Sequence, residues 1–200
     1  MALTSNLTLT GTVGGNNVNA SITRTHAGAI PQSVSVPAAK AGTLSTRTNN
    51  TDGTLTLGAS HGIATGNTID LYWSGGARRN VTVGTVSGTS VPISSGTGDN
   101  LPAQDTAITA TLQTTVDVDF LGDLLKVLSL SCDKRFTVQV MESTTARLAL
   151  VLPANEPYLW FADGGVTNPL ATYTISSIKV SQSDSSAAAT FTVGIGYASG

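Results

Sequence analysis

Charge is what this sequence has least of. Asp, Glu, Lys and Arg make up 11% of the 200 residues, ten basic against twelve acidic, and neither sign forms a run. Such a chain has no electrostatic footprint for nucleic acid or an anionic lipid surface, so neither is expected as a direct partner. Cysteine occurs once, as Cys132. It cannot close an internal disulfide, and its place in the apolar run Val127–Cys132 predicts a buried, inert thiol. No stretch approaches the ~18 apolar residues of a membrane span, and the opening MALTSNLTLTGT has neither the basic nor the apolar region of an export signal. The expectation is a protein made without export and without a membrane anchor.

What the chain does have is β chemistry. Hydrophobic residues are 40% of the total, and Ser plus Thr are roughly a quarter, a mixture that favours strands and turns over solvent-laced helices. The expected fold is all-β: a small five-stranded barrel-like module, then a jelly-roll-like β-sandwich, with an extended N-terminal arm. The boundaries fall at 1–53 for the arm and short strands, 54–113 for the barrel and 114–200 for the sandwich.

Pattern is densest in Thr54–Trp73, where Leu55 and Leu57 alternate with threonines, and Ile69, Leu71 and Trp73 alternate with Asp70 and Tyr72. Between these strands Gly58, Gly62 and Gly66 are expected to supply positive φ, and Asn67 to bond its own backbone. Further strands are expected at Asn80–Val86, Val91–Ile93 and Ala107–Leu112. Ahead of them, GTVGGNNVN reads as a hairpin connection or a free arm, Thr25–Gln32 as a loop, and Ala38–Gly53 as a connection with one strand at Gly42–Arg47. The polar connection SSGTGDNLPAQD is a candidate intersubunit contact.

After Thr114 the strands lengthen. Val116, Val118 and Phe120 alternate with Asp117 and Asp119; Phe136, Val138 and Val140 repeat the pattern, and Phe191, Val193 and Ile195 close it. Leu121–Leu128 fits a short helix or, through Val127–Leu130, a strand. Ala146–Leu152, apolar at both parities, reads as a central strand. A change of parity implies a bulge near Ser176 and Ser177, and Ser181–Ser186 reads as the loop before a final hairpin.

No arrangement of residues requires catalysis. His61 lacks companion ligands for a metal, and an imidazole with one donor and one acceptor can brace a tight loop, so it joins Gly62, Gly66 and Asn67 as a turn-building set. Asp117, Asp119 and Asp123 are a candidate set of hard oxygen ligands for calcium, with a solvated strand face as the plainer alternative. Tyr158 and Trp160 share a strand face and serve either as a stacking platform for a sugar or as core. No serine sits in a nucleophile elbow.

The run SHGIATGNTIDLYW, followed by VTVGTVSGTSVPI, resembles the small "His-Gly, a few residues, Gly-Asp, then hydrophobic" β-modules in structural proteins of tailed bacteriophages. Asn67 stands here where Asp is usual. The resemblance implies a virion protein assembled in the bacterial host cytoplasm. Such a protein decorates or stabilises a capsid by homo-oligomerisation and by packing on other virion proteins, such as a major capsid or tail protein. A tail or neck subunit, or a carbohydrate- or receptor-binding β-module, are the alternatives. No cofactor is expected, calcium at the aspartates excepted.

Overall fold

The computed structural model describes residues 3–13, 16–26, 28–161, 167–184 and 186–197. Their fold is all-β; the one helical turn among them is a 3-10 segment, Gly122–Leu124. β1 (Leu3–Val13) and β2 (Asn16–His26) form a two-stranded sheet of their own, in unbroken register from Leu3 opposite His26 to Val13 opposite Asn16. The described parts of the turn-rich stretch, Gly11–Val13 and Asn16–Asn19, are therefore strand. Register sets Leu7 opposite Ile22 and Leu9 opposite Ala20. β3 (Gly28–Val36) follows at once, so most of the expected loop at Thr25–Gln32 is strand.

β4 (Lys40–Arg47), β5 (Gly53–Leu57), β6 (Thr68–Trp73), β7 (Gly76–Val83), β8 (Ser90–Ser94) and β10 (Ala107–Leu112) close a barrel in the order β6, β10, β4, β5, β8, β7 and back to β6. β9 (Thr97–Gly98) adds to β7 outside the ring. The ring has six strands, not five. The sixth, β4, is faint in sequence because one buried residue, Leu44, fills its share of the interior, and Gly42 is forced by proximity: a Cβ there would lie 2.4 Å from the Thr56 carbonyl oxygen. Leu55, Leu57, Ile69, Leu71, Val81, Val83, Val91, Ile93 and Ile108 fill the rest.

β11 (Thr114–Leu121), β12 (Leu125–Cys132), β13 (Phe136–Glu142), β14 (Thr145–Leu152), β15 (Tyr158–Phe161), β16 (Thr174–Gln182) and β17 (Ala189–Tyr197) build the sandwich together with β3. One sheet runs β11, β16, β13, β14; the other runs β15, β12, β17, β3. The eight strands pair as nested partners: β3 with β17, β11 with β16, β12 with β15, and β13 with β14. That nesting is the topology of a jelly roll. Its core holds Phe136 and Phe191, with ring centroids 5.9 Å apart, among Leu128, Leu130, Val138, Ile178 and Val193.

Since β3 belongs to the sandwich and β4 to β10 make the barrel, the barrel is an insertion between the first and second strands of the jelly roll. Strands 28–36 and 40–47, expected in an N-terminal segment, are thus divided between the two larger bodies. Leu121–Leu128 resolves into the 3-10 turn followed by β12, because Leu125, Val127, Leu128 and Leu130 are all drawn into the core. Gly122 opens that turn where no side chain fits, its Cβ position lying against the carbonyl of Leu170.

Three local expectations are corrected. β14 is an edge strand, not a central one: Leu148, Leu150 and Leu152 face the core while Ala149 and Val151 are exposed. Ser181–Ser186 does not join a hairpin, since β16 and β17 lie in opposite sheets. The register shift anticipated near Ser176 is present between β11 and β16, with the extra residue on β11 between Asp117 and Phe120. Finally, of the loop glycines, Gly62 and Gly66 take left-handed φ of 75° and 83°, but Gly58 does not; Ser60 does instead.

Candidate functional site

The strand β6 carries the first sign of a site, because Ile69, Asp70 and Leu71 are all buried in succession. Ile69 and Leu71 fill the barrel, so Asp70 must be covered from outside, and the covering surface is the outer face of the jelly-roll sheet at β13 and β16. The β6–β7 register slips by one opposite Asp70: Ile69 faces Val81, but Leu71 faces Arg78. This bulge turns both Arg79 and Asn80 toward one carboxylate, and Asn80 adopts the left-handed φ of 53° that makes room for it.

Asp70 is 2% exposed and takes four donors. Its Oδ1 accepts the Asn80 backbone N–H at 2.9 Å and the Gln113 side-chain amide at 2.7 Å; its Oδ2 accepts Ser181 Oγ–H at 2.5 Å and the Arg79 guanidinium at 3.3 Å. Arg79 Nη1 also donates to the Tyr72 hydroxyl and lies over its ring, 4.8 Å from the centroid. Because Ser181 gives its only proton to Asp70, it accepts from Tyr72, 2.8 Å away. Arg79, Tyr72, Ser181 and Asp70 therefore close a ring of hydrogen bonds that spans barrel and jelly roll. Tyr72 lies 3.3 Å from Thr137 Oγ1, and Lys179 Nζ reaches Asn80 Oδ1 at 3.4 Å, both again across the boundary. Burial raises the Tyr72 hydroxyl above its ordinary pKa of 10.0, with the Asp70 charge adding to the shift and Arg79 opposing it.

The two covalent crossings between the bodies are pinned beside this ring. On the way out, Gln182, fully buried, donates its amide to the carbonyls of Val36, Pro37 and Ala187, and the Ala39 N–H bonds the Asp184 carbonyl. On the way back, Gln113 bonds Thr68 through its backbone and Asp70 and Asn80 through its side chain. Asp70 accepts four hydrogen bonds, while Gln113 Oε1 and Gln182 Oε1 are buried without a partner among the described residues, and the network ties the two domains together at both crossings.

The turn-building set holds its loop as its chemistry allows. His61 Nδ1 accepts the Ile63 N–H at 3.0 Å, so its proton sits on Nε2 and is donated to the Gly88 carbonyl at 3.1 Å. Asn67 Oδ1 accepts the Ala64 N–H at 2.7 Å, a role an aspartate fills equally well. The connection Ser94–Asp105, a candidate intersubunit contact, is held inside the chain: the buried Arg78 donates to the carbonyls of Ser95, Gly96 and Asp99 at 2.6–2.8 Å.

Asp117 and Asp119 alternate on the exposed face of β11, and the Asp123 side chain lies outside the described residues. Among the described residues no three His, Cys, Asp or Glu side chains converge. Trp160, 5% exposed, is packed in the jelly-roll core with Tyr158 against its margin, so the pair offers no open stacking platform. A shallow depression of about 330 Å³ is lined by Ser131, Cys132, Asp133, Asn155, Pro157, Thr190 and Thr192. Burial pushes the Cys132 thiol up, and it rests 3.4 Å from the Pro153 carbonyl.

Asp70, Tyr72, Arg79, Gln113 and Ser181 are not visible as a site in the sequence, where Asp70 and Tyr72 read as the solvated side of an alternating strand. The signal was there only as an Asp and an Arg opposite one another across a tight hairpin. In comparisons with protein-family models, with curated proteins and with solved structures, nothing matches this chain.

Proposed function

We propose that this protein is a structural subunit of a tailed-phage virion, one that decorates or stabilises a capsid by self-association and by packing on the shell. The observation that carries the reading is architectural: a jelly roll, an architecture that recurs in viral capsid domains, led by a hairpin that forms a separate sheet and carrying an inserted barrel locked on one face. A lone hairpin is marginally stable in water, so its apolar residues are best used against a neighbouring subunit. The resemblance of the His61–Trp73 run to phage β-modules points the same way, and the burial of Trp160 removes the main support for a glycan-binding role.

Light scattering on the full chain and on a chain lacking residues 1–26 tests the reading. A closed oligomer that weakens when the hairpin is removed is the expected result. A monomer at every concentration, with and without the hairpin, overturns it.

A further inference from the structure

The jelly roll has four edge strands, and three of them carry devices that prevent pairing with another chain. β11 presents Asp117 and Asp119 and bears the bulge; β3 carries Pro31, which has no N–H to give; β15 is four residues long. β14 has a bulge of its own, with Arg147 the extra residue opposite Val140 and Met141, but it lies outside Leu148–Leu152, and that stretch has none of these devices. The run is uncharged, unbulged and proline-free, and Val151, 51% exposed, is among the largest apolar groups left open to water. Arg147, just before it, is turned away into an ion pair with Glu142 at 2.6 Å and lies over the Tyr173 ring.

We propose that β14 pairs with β14 of a second copy, antiparallel about a two-fold axis through Leu150, so that two four-stranded sheets become one sheet of eight. The choice of a second copy follows from the self-complementarity of the run. About that axis Leu148 meets Leu152 and Leu150 meets itself on the core side, while Ala149 meets Val151 on the outer side. A two-fold axis needs a patch that matches itself in this way, and it places both barrels on the same side of the joined sheet. The new backbone hydrogen bonds supply affinity as in other strand additions. The proposal rests on the self-associating role proposed above and names the surface through which one contact forms.

The test compares the intact chain with Val151→Lys by light scattering across a wide range of concentration. The substitution falls at an exposed position and is expected to leave thermal unfolding unchanged, while the two lysines brought close to the axis weaken dimerisation by about a hundredfold. Mixing Ala149→Cys protein with Val151→Cys protein under mild oxidation is expected to give a disulfide-linked heterodimer, since opposed Cα atoms at about 4.5–5.5 Å fall within disulfide range. Association that survives Val151→Lys, with no crosslink in the mixture, overturns the edge pairing and leaves the assembly role standing. Loss of the dimer on removing residues 1–26, again without the crosslink, assigns the edge to a neighbour's hairpin and also overturns it. Failure of the intact chain to associate at any concentration overturns both readings.

Discussion

A carboxylate closed between two domains is costly to desolvate and more costly to leave half-satisfied, which makes Asp70 the residue on which the geometry of the molecule depends most. Asp70→Ala removes the acceptor for four donors, one of them cationic, and is expected to destabilise the protein by about 3–5 kcal/mol. Calorimetry checks this, and a split of one unfolding transition into two would show that barrel and jelly roll had come apart. At the loop, Asn67 acts only as an acceptor, so Asn67→Asp is expected to leave stability nearly unchanged while Asn67→Ala costs about 1 kcal/mol, measured by urea denaturation. His61 and Asn67 were legible in the sequence because a short polar side chain between glycines bonds its own loop. Asp70 was not, because alternation along a strand reads the same whether the polar face meets water or another domain.

At the scale of the element, buried backbone rather than side-chain pattern decides what sequence can reveal. Gly122 is where the Leu170 carbonyl occupies the space of a side chain, and Gly122→Ala is expected to cost about 1–3 kcal/mol or more by overpacking, read as a lowered thermal midpoint. Arg78 gathers the carbonyls of Ser95, Gly96 and Asp99 with a planar fork that an ammonium cannot reproduce. Arg78→Lys is therefore expected to loosen Ser94–Asp105, seen as protease cleavage within that connection while the rest of the barrel resists. The strands themselves were largely legible: Ala107–Leu112 falls where alternation put it, while the strand expected at Thr54–Leu57 starts one residue earlier and that expected at Asn67–Trp73 one residue later. β14 misled because an apolar run at both parities marks a strand covered on both faces, and here one of those faces is left open.

At the scale of the molecule, all-β architecture and the barrel-then-sandwich order were legible from composition and texture, but the insertion was not. Nothing local in Gly28–Val36 says that its partner lies at Ala189–Tyr197. The junction also sets how the assembly answers pH. Tyr72 has a raised pKa, so its contribution is complete below its ordinary value of 10.0 and is lost as pH rises through the higher folded value. Alkaline titration is thus expected to free the two domains, detectable as a rise in radius of gyration above pH 10 that Tyr72→Phe, with no proton to lose, does not show. The acid side has the opposite sign. Ser186, through its side chain and backbone, and Lys134 hold the Asp184 carboxyl down to about 2 from 3.8, so its stabilisation is present above pH 3.8 and is lost as pH falls toward 2.

The nested pairing of the jelly roll also dictates an order of events during synthesis. β3 leaves the ribosome before every other strand of the jelly roll, yet the strand it lies beside, β17, emerges after all of them, and the whole barrel is made in between. The barrel's strands pair over shorter separations than β3 and β17 and can close before the rest of the jelly roll is made, whereas the jelly roll must hold its first strand open until its last has emerged. The early barrel then serves as a nucleus already standing on the chain, and Asp70 and Tyr72 wait on its surface for Ser181, so that docking the domains and closing the last sheet become a single late, slow step.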